Sequence, residues 1–476
     1  MMEAAARVPL KAMLTPPSCV PAVDGFEDNG ATVTAKDIEE AMTWDCTVGL
    51  GEMMNYPGVL SKDKNVFGEI DTTLKADKVV TGHYSVPETD RGLNAYIAAG
   101  VSSCHESVRP DDIIAKIRLG MYGQLREGSA WHNLKNVSTV VTQRKIDTRF
   151  CNLVTDDIHP DTLLNHGHID RILRMAVDLG IDPVVAIQMC TINTATAFGQ
   201  NQDMGSVTPG KCADMVLLDD LKGFGVAKVW IDGDLVAEDG HITFDLKPFK
   251  WPEFMTNTMN VGMDITPETF AFKAVDENGN AIQAKEATAR VIQCSAGDTI
   301  THEIRKTLPI QDGKIAACPE QDVLKLAVFD RHKASGRFSV GFASGFGIHG
   351  ALAQTVSHDA HNLLVLGDND EDMAIAANAL MKCGGGEVAV VDGEIKAQVA
   401  LPVCGLMSDE RVDQVAAEVA KVEGVWREMG CTMPSPFMTL GLISLAVIPE
   451  IRLTNRGLVD CNAFKFIPVI VPDDEK

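Results

Sequence analysis

At 476 residues, with 45% hydrophobic and 23% charged content, the chain is long enough for two or three domains and is composed like an ordinary soluble globular protein. A formal net charge of −24 argues against DNA, RNA or an anionic membrane as a main partner, because phosphate would be repelled. The twelve cysteines are scattered without a Cys-x-x-Cys pair, which suits mostly buried thiols in a reducing cytoplasm rather than a disulfide framework. The opening MMEAAARVPLKAML lacks the apolar run of a signal peptide, and no stretch approaches transmembrane length.

In chain order, VPLKAML predicts a strand, followed by a non-helical stretch enforced by Pro16, Pro17 and Pro21. Thr34-Ala-Lys-Asp37 has the pattern of a capping box opening the helix AKDIEEAM. Strand 48–52, helix 65–76, strand 78–83, helix 91–99, strand 101–105, helix 110–119 and strand 121–126 come next, and strand 149–156 closes the series. This alternation predicts parallel βαβ units, about six of them. Leu163–Leu179 predicts one helix, and Asp182-Pro183 opens another. From Gly205 the texture changes to short β segments with a hairpin at Asp232-Gly233, and Lys247–Pro252 has the composition of a linker. The remainder predicts an α/β domain with ARVIQC paired to THEIRKTLPI, a hairpin at Asp392-Gly393, and helices at 370–382 and 409–428. The expected domains are therefore a β/α unit over 1–204, a small β unit over 205–250 and an α/β domain over 251–476.

Four metal-type residues each close a β-rich run: Glu52 in VGLGE, His83 in KVVTGH, His105 in AAGVSSCH and Asp156 in FCNLVTD. A β/α barrel gathers its chemistry at such C-terminal strand ends, where all strands aim side chains at one mouth. Imidazole and carboxylate together suit Zn²⁺, Mn²⁺ or Fe²⁺, and an aspartate beside a metal-activated water can move its proton. Other templates fit worse. GFGIHG (345–350) matches G-x-G-x-x-G, but nothing around it resembles a dinucleotide site, and it is expected to be a tight glycine loop. GFASGFG lacks the order of a nucleophile elbow.

Several longer stretches resemble the bacterial adenine deaminase family of the amidohydrolase superfamily: GLGEMMNYPGVL (49–60), LNAYIAAGVSSCHES (93–107), RLGMYGQLREGSA (118–130), LVTDDIHPDTLL (153–164) and GSVTPGKCADMVLLDD (205–220). The likeness continues through VSHDAHNLLVLGDNDEDMAIAAN (356–378) and PFMTLGLISLAVIPEIRLTNRGLVD (436–460), and so spans nearly the whole chain. It implies a metal-dependent (β/α)8-type barrel, a β-sandwich portion and a C-terminal α/β domain. It implies hydrolytic deamination of adenine to hypoxanthine and ammonia, with Mn²⁺ or Fe²⁺ as the usual metal. Residue by residue, Glu52 matches the metal-bridging carboxylate of strand four, and His83 and His105 match the histidines of strands five and six. Asp156 matches the strand-eight aspartate that ligates metal and shuttles protons. Glu106 and Arg126 are candidates to contact the purine or orient a ligand, as are His358, Asp359, His361 and Asn362 in the C-terminal motif.

Two departures stand out. The His-x-His pair implied for strand one does not occur ahead of Glu52, so the chain is expected to hold strands three to eight of an incomplete barrel. Asn455 stands in IRLTNRG where the family pattern implies an aspartate. Three functions are thus in contention: adenine deamination, a catalytically inactive remnant that binds purine or a partner, and a related amidohydrolase acting on another cyclic amidine or amide. A homo-oligomer is left open.

Overall fold

The structure is a computed structural model describing residues 2–86, 89–276 and 279–472. It divides into two compact units, one of Met1–Cys19 with Val33–Lys250, the other of Val20–Thr32 with Trp251–Lys476. Sequence texture alone predicts 1–204 as one unit with 205–250 set apart. The observed division instead places 205–250 in the first unit and lends thirteen early residues, 20–32, to the second.

The first unit is built on five parallel strands taken in chain order: β1 (Gly49–Met53), β2 (Val79–Gly82), β3 (Ser103–Cys104), β4 (Tyr122–Arg126) and β5 (Cys151–Val154). β1 pairs with β2, β3 with β4, and β4 with β5, all parallel, while a single bridge from Val80 to Val101 joins β2 to the approach of β3. The predicted strand 8–14 is not a full ladder. Among the described residues the chain there forms isolated parallel bridges, Leu14–Thr47 ahead of β1 and Pro17–Gly51 on β1, because Pro16 and Pro17 bring no N–H to a ladder.

Helices follow the strands, with the expected capping box at Thr34 and a further cap at Asp63. Thr34 N–H donates to Asp37 Oδ2 at 2.8 Å, and Asp63 Oδ1 accepts from Asn65 and Val66 N–H to open Lys64–Lys75. The helix expected over 163–179 is instead two, Pro160–Asn165 and Ile169–Asp178. Gly167 at φ 97° breaks it, and Asp170 starts the second helix by accepting from His168 N–H. Leu50, Val80, Tyr96, Val101 and Cys104 share one apolar core, and Ile113, Leu125, Leu153 and Ile172 another. Met215–Leu218, Val226–Ile231, Asp234–Glu238 and His241–Ile242 form a four-stranded antiparallel sheet, turning at Asp232-Gly233 with both residues at positive φ.

The second unit holds a ten-stranded, mainly antiparallel sheet. Along Leu324–Phe329 the side chains alternate: Leu326 and Val328 pack with Val422 and Trp426 of the helix Val412–Glu428. Ala327 and Phe329 pack with Met373 and Leu380 of the helix Asp370–Cys383. Both faces are therefore covered by helix. The expected pairing of ARVIQC with THEIRKTLPI is present, as is the Asp392-Gly393 hairpin.

The glycine loop carries its own anion. Asp322 accepts from Gly345 N–H at 2.7 Å, Gly347 N–H at 3.0 Å and Ser344 Oγ–H at 3.1 Å, which fills the nest where a phosphate would sit. Asn455 is fully buried and bonds Asp28 twice, accepting from its N–H and donating to its Oδ2 at 2.7 Å. Only an amide does both; an aspartate there would face the Asp28 carboxylate.

Candidate metal centre

Four of the strand ends converge as their spacing predicts. Glu52 lies within β1, His83 follows β2 by one residue, His105 follows β3 by one, and Asp156 follows β5 by two with φ at 61°. Gly82 makes this convergence sterically feasible. A Cβ there would lie 2.5 Å from Val101 Cγ1, 2.6 Å from the Ser103 carbonyl and 2.8 Å from the Tyr96 hydroxyl, so only glycine lets β2 and β3 approach beside His83.

Three ligand-type atoms form a small triangle: Glu52 Oε2 to His83 Nδ1 is 3.0 Å, Glu52 Oε2 to His105 Nε2 is 2.9 Å, and His83 Nδ1 to His105 Nε2 is 3.2 Å. Edges near 3 Å match a face of a coordination polyhedron with metal–ligand bonds of about 2.1 Å. A second metal-type group, His105, Glu106 and Asp156, shares His105 with the first. An open cavity of about 380 Å³ is lined here by Pro17, Glu52, His105, Gln124, Asp156 and Phe198, among others.

The electrostatics call for positive charge at the triangle. Burial would lower the His105 pKa, yet the Glu52 carboxylate overrides it and lifts the imidazole to about 10. His83 is raised likewise, Glu106 and Glu52 outweighing burial. Against the opposing cost of desolvation, the two imidazoles hold Glu52 well below the usual carboxylate range. Protons or one divalent cation can meet that demand, and two nitrogens and an oxygen are a donor set suited to a divalent metal.

Arg126 organises the acid side. Its Nη1 donates to Glu106 Oε1 and, at 2.7 Å, to Asp156 Oδ2, while Nε and Nη2 grip Asn133 Oδ1 at 3.0 and 2.9 Å. Glu106 Oε1 lies 3.9 Å from His83 Nε2 and 3.8 Å from His105 Nε2. Burial would raise the Glu106 carboxyl, but His83 and Arg126 bring it down to about 2.

His358, Asp359, His361 and Asn362 belong to the second unit and bond within it. His361 Nδ1 accepts from Ser357 N–H at 3.2 Å, and burial with nearby positive groups lowers its pKa to about 3, keeping it neutral. Asn362 Nδ2 donates to the Asp28 carbonyl at 3.0 Å, and His358 Nδ1 stands 3.6 Å from Asp359 Oδ1. Among the described residues none of the four joins a group of three metal-type side chains. Sequence reasoning missed Asn133, which orients Arg126, and Tyr96, whose hydroxyl accepts from His83 N–H at 3.0 Å and donates to the Met53 carbonyl. Neither residue type announces such a role in a sequence.

Comparison with known proteins places the chain in a family. An adenine deaminase from Clostridium botulinum (strain Langeland) is 52% identical over 99% of this chain and 78% of its own length. Those from Moorella thermoacetica and Roseobacter denitrificans are 45% and 41% identical, each over 99% of this chain. The chain belongs to the adenine deaminase family. The amidohydrolase family model matches residues 1–236, and the adenine deaminase C-terminal domain model matches 298–465. The fold is thus a mixed α/β fold of the amidohydrolase superfamily, and membership implies a divalent metal cofactor. All twelve cysteines are free thiols, and among the described residues no helix is long and apolar enough to cross a membrane.

Proposed function

We propose that this chain deaminates adenine hydrolytically to hypoxanthine and ammonia, with Glu52, His83 and His105 holding a divalent ion and Asp156 moving the proton. The parallel strands in chain order are read as strands three to eight of a β/α barrel, the Leu14–Pro17 segment standing for the first of them. The observation that carries the proposal is the triangle of Glu52 Oε2, His83 Nδ1 and His105 Nε2 with edges of 2.9–3.2 Å. Mn²⁺ or Fe²⁺ is the proposed ion, and Zn²⁺ also suits the donors.

When bound, such an ion supplies a nucleophile at neutral pH by making water more acidic. The protein does the rest. Asp156 has Oδ2 tied to Arg126 and no hydrogen bond at Oδ1 among the described residues, so Oδ1 is placed to take a proton and return it to the departing amine. Arg126 fixes Asp156 and Glu106 in place, and with His83 it holds the Glu106 carboxyl ionised. Gln124 and Phe198 line the cavity and supply an amide and an apolar ring face suited to a purine base.

The test is ammonia release from adenine by the purified 476-residue chain supplied with Mn²⁺, beside Glu52→Gln. Metal-dependent turnover lost in the variant supports the proposal. A folded chain that binds Mn²⁺ without turnover favours the inactive reading, and turnover of another cyclic amidine or amide in preference to adenine favours the third.

A further inference from the structure

The two imidazoles of the triangle come from neighbouring strands that barely pair. β2 and β3 share no ladder: one bridge, Val80–Val101, and the Ser102 N–H to Val80 carbonyl bond at 2.9 Å lie behind the site. Past Gly82 and Cys104, where His83 and His105 project, no backbone hydrogen bond joins the two ends among the described residues. Yet His83 Nδ1 and His105 Nε2 must be held 3.2 Å apart. Something other than the sheet fixes that spacing.

The side chain in the right place is Lys116. It lies on the helix Pro110–Arg118 that follows β3, is 1% exposed, and occupies the apolar face one turn from Ile113. Its ammonium donates to the Tyr84 carbonyl at 3.2 Å, to the Glu106 carbonyl at 2.8 Å, to Ser107 Oγ at 2.8 Å, and contacts Cys104 Sγ at 3.1 Å. Tyr84 is the residue after His83; Cys104 and Glu106 flank His105. Cys104 Sγ in turn accepts from Tyr84 N–H at 3.2 Å. A fully buried ammonium has no water to fall back on, so these contacts are obligatory rather than incidental.

We propose that Lys116 is a positioning residue for the metal centre: its ammonium fastens the strand end carrying His83 to the one carrying His105, in place of the missing backbone ladder. This rests on the reading that Glu52, His83 and His105 hold a divalent ion. Supports of this kind, lying behind the ligands, typically contribute 10–100-fold in metal affinity.

The experiment titrates Mn²⁺ by electron paramagnetic resonance into the full chain as wild type, Glu52→Gln, Lys116→Met and Ser107→Ala. It also records the imidazole nitrogen resonances of His83 and His105 in the metal-free proteins. Lys116→Met is expected to bind Mn²⁺ at least ~10-fold more weakly and to move both imidazole resonances, with far-ultraviolet circular dichroism unchanged. A residue that merely fills the core would lower the melting temperature while leaving Mn²⁺ affinity within about twofold of wild type, as bare packing loss predicts. That result overturns the proposal. If Lys116→Met does not fold, Ser107→Ala, which removes one acceptor, decides: about a threefold loss of affinity supports the role, and unchanged affinity and resonances refute it. A wild-type chain that binds no Mn²⁺ would sink the metal reading alone, because the imidazole resonances of the metal-free variants still report whether Lys116 sets the spacing.

Discussion

Replacing Arg126 by Met removes the cation between Glu106 and Asp156 while keeping side-chain length. The guanidinium is 2% exposed and Glu106 8%, so that pair is buried, whereas Asp156 keeps 32% of its side-chain surface. A charge-assisted hydrogen bond contributes ~1.5–3 kcal/mol, and unpairing a buried charge costs ~3–5 kcal/mol. Counting Glu106 in full and discounting Asp156 for solvent gives a destabilisation of about 4 kcal/mol at neutral pH. Acid titration fixes the sign of the pH dependence. The Glu106 carboxyl is held at about 2 in the fold, below its unfolded value, so its stabilisation is present above the unfolded pKa and is lost as pH falls through about 2. The gap between wild type and variant in urea unfolding should therefore be full at pH 6–7 and shrink as pH falls from roughly 5 toward 2. On the proposed role of Asp156 as proton carrier, turnover of adenine should drop ~10²-fold when that carboxylate is misplaced. A variant within about 1 kcal/mol of wild type at pH 7, with more than about a third of its turnover, would refute this role of Arg126.

Other perturbations separate the parts of the molecule. Burial lifts the Glu69 carboxyl to about 8, and its Oε2 has no hydrogen-bond partner among the described residues. Its folded pKa lies above the unfolded one, so stability falls as pH rises from roughly 4.3 to 8, by at most ~5 kcal/mol at about 1.4 per pKa unit. Glu69→Gln should flatten that slope and melt higher than wild type at pH 8.5; an unchanged slope contradicts the burial argument. Asp322→Ala strips the acceptor from two loop N–H groups and Ser344, and should cost ~2–4 kcal/mol in denaturant titrations. Tight binding of ATP by the wild-type chain at that loop would contradict the filled nest. Because Glu52 lifts the His105 imidazole to about 10, Mn²⁺ must displace its proton, and its affinity should rise between pH 6 and 9. Calorimetry in buffers of different ionisation enthalpy should register at least one proton released, and a buffer-independent heat counts against the triangle as the binding site.

Much of this protein was readable along the chain because the relevant signals are local. Residue periodicity marks β1 to β5, Asp and Thr caps mark helix starts, and the Asp-Gly pairs at 232–233 and 392–393 mark turns, since each reports the backbone's own preferences within a few residues. The strand-end positions of Glu52, His83, His105 and Asp156 followed from the same alternation, and the family likeness from their surrounding words. Local signals also misled where two of them competed. The apolar periodicity of 163–179 hid the break at Gly167, and VPLKAML looked like a strand although the prolines after it deny it a ladder. What only the tertiary structure decided is how distant groups satisfy one another. The 2.9–3.2 Å triangle, the Arg126 fork between Glu106 and Asp156, the ammonium of Lys116 among two carbonyls, a hydroxyl and a thiol, and the Asn455 amide against Asp28 each join residues from different elements of the fold. Burial makes such pairings compulsory, because a polar group cut off from water must find its partner inside the fold, and no run of neighbouring residues records which partner that is.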